Sequence, residues 1–152
     1  MENKIQIDNL SLNYEVTGPE NGKPIVLMHG WGCEHSTVSS IASILNSDHR
    51  VYNIDLPGHG KSDEPTGVWG IEDFTRLIEK FIIALNIKTP SLIGHSFGGR
   101  ISILYGSRNK TDKIVLVDSA GVKPKRSLKY YWKVYSFKTL KKIIKLLYGK
   151  KK

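Results

Sequence analysis

The sequence predicts an α/β protein with a mostly parallel sheet and helices on both faces. Three observations carry this expectation. Short apolar runs bounded by turn residues alternate with segments of helical period, as βαβ units require. The run Pro24-Ile25-Val26-Leu27-Met28 is continuously apolar, as a strand buried on both faces should be. From Ile71 the positions Phe74, Leu77, Ile78, Phe81, Ile82 and Leu85 recur every three or four residues, giving one broad helical face with charge opposite.

In chain order, Lys4-Ile5-Gln6-Ile7 and Leu12-Asn13-Tyr14-Glu15-Val16 alternate with period two around Asp8-Asn9, which predicts an antiparallel hairpin at a sheet edge. The apolar strand 24–28 follows and ends in His29-Gly30. Ser36 is placed to cap a helix whose inner face is Val38, Ile41, Ala42 and Leu45. Arg50 to Ile54 reads as the next strand, closed by the turn-rich Asp55-Leu56-Pro57-Gly58-His59-Gly60. After the helix from Ile71, Ser91 to Gly94 is a short strand that runs into His95-Ser96-Phe97-Gly98-Gly99, and Arg100 to Tyr105 reads as a buried helix. Lys113 to Val117 is a sixth strand, closed by Asp118-Ser119-Ala120-Gly121. Beyond Pro124 two short helical registers, slipped by one residue, carry lysines on their remaining faces. The expected division is a core over 1–121 and a basic helical segment over 122–152.

Length and composition bound the function. At 152 residues the chain is one ordinary domain, with 39% hydrophobic and 24% charged residues, which excludes a disordered or collagen-like chain. The lone Cys33 excludes a disulfide framework and a cysteine-rich zinc site, and no two histidines have the i, i+4 spacing of a helical metal site. No uncharged apolar run approaches the roughly 18 residues of a membrane span, and the start lacks a secretory leader pattern, so the cytoplasm is the expected compartment. The net charge of +9 is unevenly spread: residues 1–120 hold 11 basic and all 14 acidic residues, whereas 121–152 hold 12 basic and none acidic. The basicity therefore belongs to the terminal segment, and no nucleic-acid partner is expected. Contact with an anionic membrane surface is the secondary reading of 122–152, behind a helix with an apolar underside.

The sharpest chemical signal is Gly94-His95-Ser96-Phe97-Gly98, a G-x-S-x-G between a predicted strand and a predicted helix. A serine on so tight a turn takes a strained backbone, and Gly94 and Gly98 remove the Cβ atoms that would collide. Ser96 is then the candidate nucleophile. His29-Gly30-Trp31-Gly32, after the third strand, is a loop able to supply a backbone N–H to an oxyanion, from Trp31, with the Phe97 amide as the second donor. Gly60-Lys61-Ser62 imitates the end of a P-loop but fails, because position 55, where that motif needs glycine, is Asp55.

These three segments, His29-Gly30-Trp31-Gly32, Asp55-Leu56-Pro57-Gly58-His59-Gly60-Lys61-Ser62-Asp63 and Gly94-His95-Ser96-Phe97-Gly98-Gly99, resemble the α/β-hydrolase superfamily in order and spacing, from about Ile5 to Gly121. The resemblance implies an active site above the carboxyl ends of the strands, a Ser-acid-His triad, an acyl substrate, no cofactor, and a 122–152 segment that begins a helical cap. A serine nucleophile implies esterase, thioesterase, lipase-like, C–C hydrolase or perhydrolase chemistry. The departure is equally specific. All five histidines, His29, His35, His49, His59 and His95, precede Ser96, so the triad histidine has no counterpart here. Asp118 is the acid the resemblance offers, because some members carry theirs at that strand end, while more place it after a seventh strand. About six of the family's eight strands are present. The expectation is an N-terminal portion of a longer hydrolase, inactive alone and exposing the edge of its sixth strand. A non-catalytic binding module on the same scaffold is the alternative.

Overall fold

A computed structural model describes residues 2–121 and 127–148, without the side chains of 143 and 145–148. The chain divides into two compact units, Met1–Gly121 and Val122–Lys152.

In the first unit β1 (Glu2–Ile7) and β2 (Leu10–Thr17) form the expected hairpin, with Ile7 opposite Leu10 and Asp8 in the turn at φ +52°. β3 (Lys23–Met28), β4 (His49–Ile54), β5 (Ser91–His95) and β6 (Ile114–Val117) complete a six-stranded sheet of order β1-β2-β4-β3-β5-β6. β2 pairs antiparallel with β4, and the pairs β3 with β4, β3 with β5 and β5 with β6 are parallel. The chain goes from β3 to β4 on one side and then crosses to β5 on the other. That reversal opens a crevice at the carboxyl ends of β3 and β5, where sheets of this class bind ligands.

Side-chain alternation along the central strands builds two cores. Val26 and Met28 of β3 face one layer with Leu92, Ile54, Leu12 and Tyr14, covered by α2 (Ile71–Ala84) and α3 (Phe97–Gly106) through Phe74, Leu77, Ile78, Phe81, Ile101 and Tyr105. Ile25 and Leu27 face the other with Val51 and Ile93, covered by Val38 and Ala42 of the segment before β4. The period of two in β3 thus does on both faces what a buried parallel strand must. The Asp73 carboxylate accepts the Gly70 N–H at 2.8 Å, satisfying one of the free amides at the start of α2.

Two local expectations are corrected. Ser36 caps no helix: His35–Val38 is a 3₁₀ turn that runs into α1 (Ser39–Leu45), and the Ser36 hydroxyl donates to Glu34 at 2.7 Å. The tighter turn absorbs the residue before α-helical spacing begins. In the second unit, the two slipped registers become one continuous helix, α4 (Leu128–Tyr148), since without a proline or glycine between them nothing breaks the backbone ladder. Trp132, Tyr135 and Phe137 are exposed on it. No described helix is long and apolar enough to cross a membrane.

Candidate active site

The strand-to-helix turn at the end of β5 is as sharp as its glycines suggest. Ser96 sits at φ 49° and ψ −103°, a left-handed conformation that costs a non-glycine residue on the order of 1–3 kcal/mol. It is held from both sides: its N–H donates to the Val117 carbonyl at 3.0 Å, and its carbonyl accepts the Ala120 N–H at 3.1 Å. A Cβ on Gly94 would stand 2.4 Å from the Gly98 carbonyl group, and one on Gly98 would stand 2.5 Å from the Met28 oxygen. Neither neighbour is a flexible side chain, so both positions demand glycine.

The loop after β3 lies directly against this turn. A Cβ on Gly30 would meet His95 Nδ1 at 3.0 Å and Ser96 Cβ at 3.3 Å, and Gly98 N–H donates to the His29 carbonyl at 3.1 Å. Gly32 turns the loop at φ +73°. The Trp31 ring, 65% exposed, stands edge-on to Phe97 at 5.3 Å and to His59 at 5.1 Å. Among the described residues neither the Trp31 nor the Phe97 backbone N–H donates to a protein acceptor, and the Ser96 hydroxyl has no hydrogen-bond partner.

Four of the five histidines are occupied elsewhere. Fully buried His29 donates from Nδ1 to the Gly30 carbonyl at 2.7 Å and accepts the Leu56 N–H on Nε2 at 3.0 Å. Burial holds its pKa below the ordinary imidazole value, so the ring braces two loops as a neutral group. His59 donates to the Pro57 carbonyl at 2.9 Å, His49 bonds Asp48 at 2.9 Å, and His35 bonds Asp55 at 2.9 Å. His95 lies beside Gly30 with no hydrogen bond to Ser96. Asp118, exposed and at φ 44°, follows β6 in the segment whose neighbours on either side, Val117 and Ala120, bond the Ser96 backbone.

Sequence reasoning missed a second constellation, at the end of β4. Asp55 is fully buried. Its Oδ1 accepts the His35 backbone N–H at 2.7 Å and His35 Nδ1 at 2.9 Å, and its Oδ2 accepts Asn13 Nδ2 at 2.9 Å and the Lys61 N–H at 3.0 Å. Burial pulls this carboxyl upward, but the donated hydrogen bonds outweigh it and hold the pKa below the ordinary carboxylate value. Gly60, at φ +55°, is required because its Cβ would stand 2.3 Å from the Asp55 carboxyl carbon. Ser62 joins in, donating to the Asp55 carbonyl at 2.7 Å and accepting the Asn13 N–H at 2.9 Å. The segment that imitates a P-loop is thus the clamp around a buried carboxylate. Beside it, a cavity of about 700 Å³ opens between the Trp31 loop and the loop before α2.

Residues 23–139 match the family described as alpha/beta hydrolase fold. The serine hydrolase-like protein of Danio rerio is 32% identical over 117 residues, which cover 74% of this chain and 36% of the relative. A bacterial membrane phospholipase A superposes with TM-score 0.79 at 29% identity, covering 90% of this chain and 45% of that one. The enol-lactonase of Burkholderia xenovorans LB400 superposes with TM-score 0.74 at 25% identity, covering 78% and 47%. The chain spans about a third of the curated relative's length and under half of each solved structure's. With six strands in this order and a strained serine at the β5-α3 turn, the chain belongs to the alpha/beta hydrolase fold family.

Proposed function

We propose that the chain carries the nucleophile and oxyanion machinery of a serine hydrolase that cleaves an ester-like bond through an acyl-enzyme. Ser96 Oγ, its proton lost to solvent, attacks the carbonyl carbon; the carbonyl oxygen takes the negative charge and accepts hydrogen bonds from the Trp31 and Phe97 amides. Collapse of that intermediate expels the leaving group and leaves the acyl group on Ser96; water then releases it. Gly30, Gly32, Gly94 and Gly98 hold the two loops close enough for this, and Asp118 is the candidate acid.

One observation carries the reading: a serine forced into a left-handed conformation and fastened by its own backbone keeps its hydroxyl and two neighbouring amides unbonded. These groups are open to solvent, so it is the strain that marks the position: a non-glycine residue stays in such a conformation only where its surroundings impose it, and such residues cluster at functional sites. Among the described residues no imidazole is bonded to Ser96, and without such a base turnover should lie several orders of magnitude below that of a complete triad.

The experiment is acyl trapping. Incubation with a p-nitrophenyl ester should add one acyl group to Ser96, read by peptide mass spectrometry, with release of one equivalent of nitrophenol and little turnover. The Ser96→Ala chain should gain none. Acylation elsewhere at the same rate would refute the assignment.

A further inference from the structure

The cavity beside Trp31 is not used by the chemistry above, and Ser96 does not line it. Its walls combine two features that one ligand class would satisfy together. Four aromatic rings, Trp31, Trp69, Phe74 and His59, line it and are linked edge to face at 5.1 to 6.1 Å, from His59 to Trp31 to Phe74 to Trp69. Two carboxylates, Glu34 and Glu64, also line it, and no lysine or arginine does. Lys61, the nearest cation in sequence, is held at 2.6 Å by Glu2 instead. Among the described residues the Glu34 carboxylate accepts only the Ser36 hydroxyl, and Glu64 has no hydrogen-bond partner.

A neutral apolar ligand would suit the rings but strip water from two carboxylates that no described cation bonds, and an anion would be repelled. A cation with an apolar coat uses both, because the faces of aromatic rings attract it and the carboxylates balance its charge. We infer that this cavity is a subsite for an alkylammonium group, a quaternary ammonium foremost, carried by the substrate. The inference deepens the serine hydrolase reading and rests on it for where the scissile bond lies. Trp31 joins the two places: its ring lines the cavity and touches Phe97, and its amide is the proposed oxyanion donor. Since Ser96 is outside the cavity, the ammonium group and the scissile carbonyl would be separated by a spacer.

The test uses choline against its uncharged isostere, 3,3-dimethylbutan-1-ol. In the full chain carrying Trp132→Phe, the remaining tryptophans, Trp31 and Trp69, both line the cavity and report on it. Choline should change their fluorescence saturably, with a dissociation constant about tenfold or more below that of the alcohol. Adding Glu34→Gln and Glu64→Gln together should erase that preference, while Ser96→Ala should leave it intact. Equal affinity for the two compounds, or no saturable choline response, overturns the inference even if Ser96 is acylated. A choline preference in a chain whose Ser96 cannot be acylated supports the subsite and refutes the hydrolase reading.

Discussion

Asp55 and Ser96 follow β4 and end the β5 turn on either side of β3, and the protein treats them in opposite ways. Every oxygen of the Asp55 carboxylate is bonded, by donors from Asn13, His35 and Lys61, and the group is sealed from water. Ser96 is fixed as firmly through its backbone, yet its hydroxyl faces no protein partner. Both cost free energy to build, one in desolvation and the other in backbone strain. On the proposed reading the difference separates scaffold from chemistry: the Asp55 carboxylate, answered by the chain itself, holds loops in place, and the Ser96 hydroxyl, left unanswered, is the group offered to a substrate.

Breaking the first region should have the largest effect on stability. Asp55→Ala leaves buried donors from three residues without an acceptor and should destabilise the fold by about 3–5 kcal/mol, read from denaturant unfolding. Asp55→Asn keeps the shape but turns an NH2 group toward two of those donors, so it should fall between. A loss under about 1 kcal/mol for the alanine variant would mean that the clamp is incidental.

Acid should act on the same region. His29 has a folded pKa below its ordinary 6.5, so its contribution is complete above that value and is lost as pH falls below it toward the folded pKa. Asp55, also lowered, adds a second loss as pH falls below its ordinary 3.8. Stability should therefore decline from about pH 6.5 downward, by at most about 1.4 kcal/mol per pH unit for the His29 proton. In His29→Asn the decline above pH 5 should flatten; an unchanged slope would assign it to other groups.

The smallest effect has the opposite sign. Ser96→Gly relieves the left-handed strain, partly offset by glycine's freedom in the unfolded chain, and should stabilise the fold by about 1 kcal/mol while abolishing acylation. If Ser96→Gly destabilises, the serine is scaffold after all and the contrast with Asp55 fails.

What could be read in the sequence follows the range of the interactions. The continuous apolar run of β3, the three-and-four spacing of α2 and the strand-to-helix turn between Gly94 and Gly98 each lie within one element and its neighbour, and all reappear in the structure. The Asp55 clamp was invisible because its side-chain partners lie 42 and 20 residues away, at Asn13 and His35, and only folding joins them. The Asp55-to-Gly60 segment carried the signal, a glycine two residues after another beside an acid, but its reason is the Cβ that would strike the carboxylate. The cavity was equally hidden, since Trp31 and Trp69 come from loops that follow different strands. The continuity of α4 was missed for the reverse reason: side-chain pattern was read where unbroken backbone hydrogen bonding decides.

The central claim is that Ser96 is a positioned nucleophile without a general base in this chain. The most direct measurement is the rate at which a fluorophosphonate modifies the intact chain, mapped to residues by mass spectrometry across pH. Modification should fall on Ser96 before any other serine, slowly, with a rate that climbs about tenfold per pH unit above neutrality and shows no plateau, because only the ionised hydroxyl attacks. A plateau with a midpoint near 6.5 would reveal an imidazole serving Ser96, and labelling of other serines ahead of it would deny it the role of nucleophile.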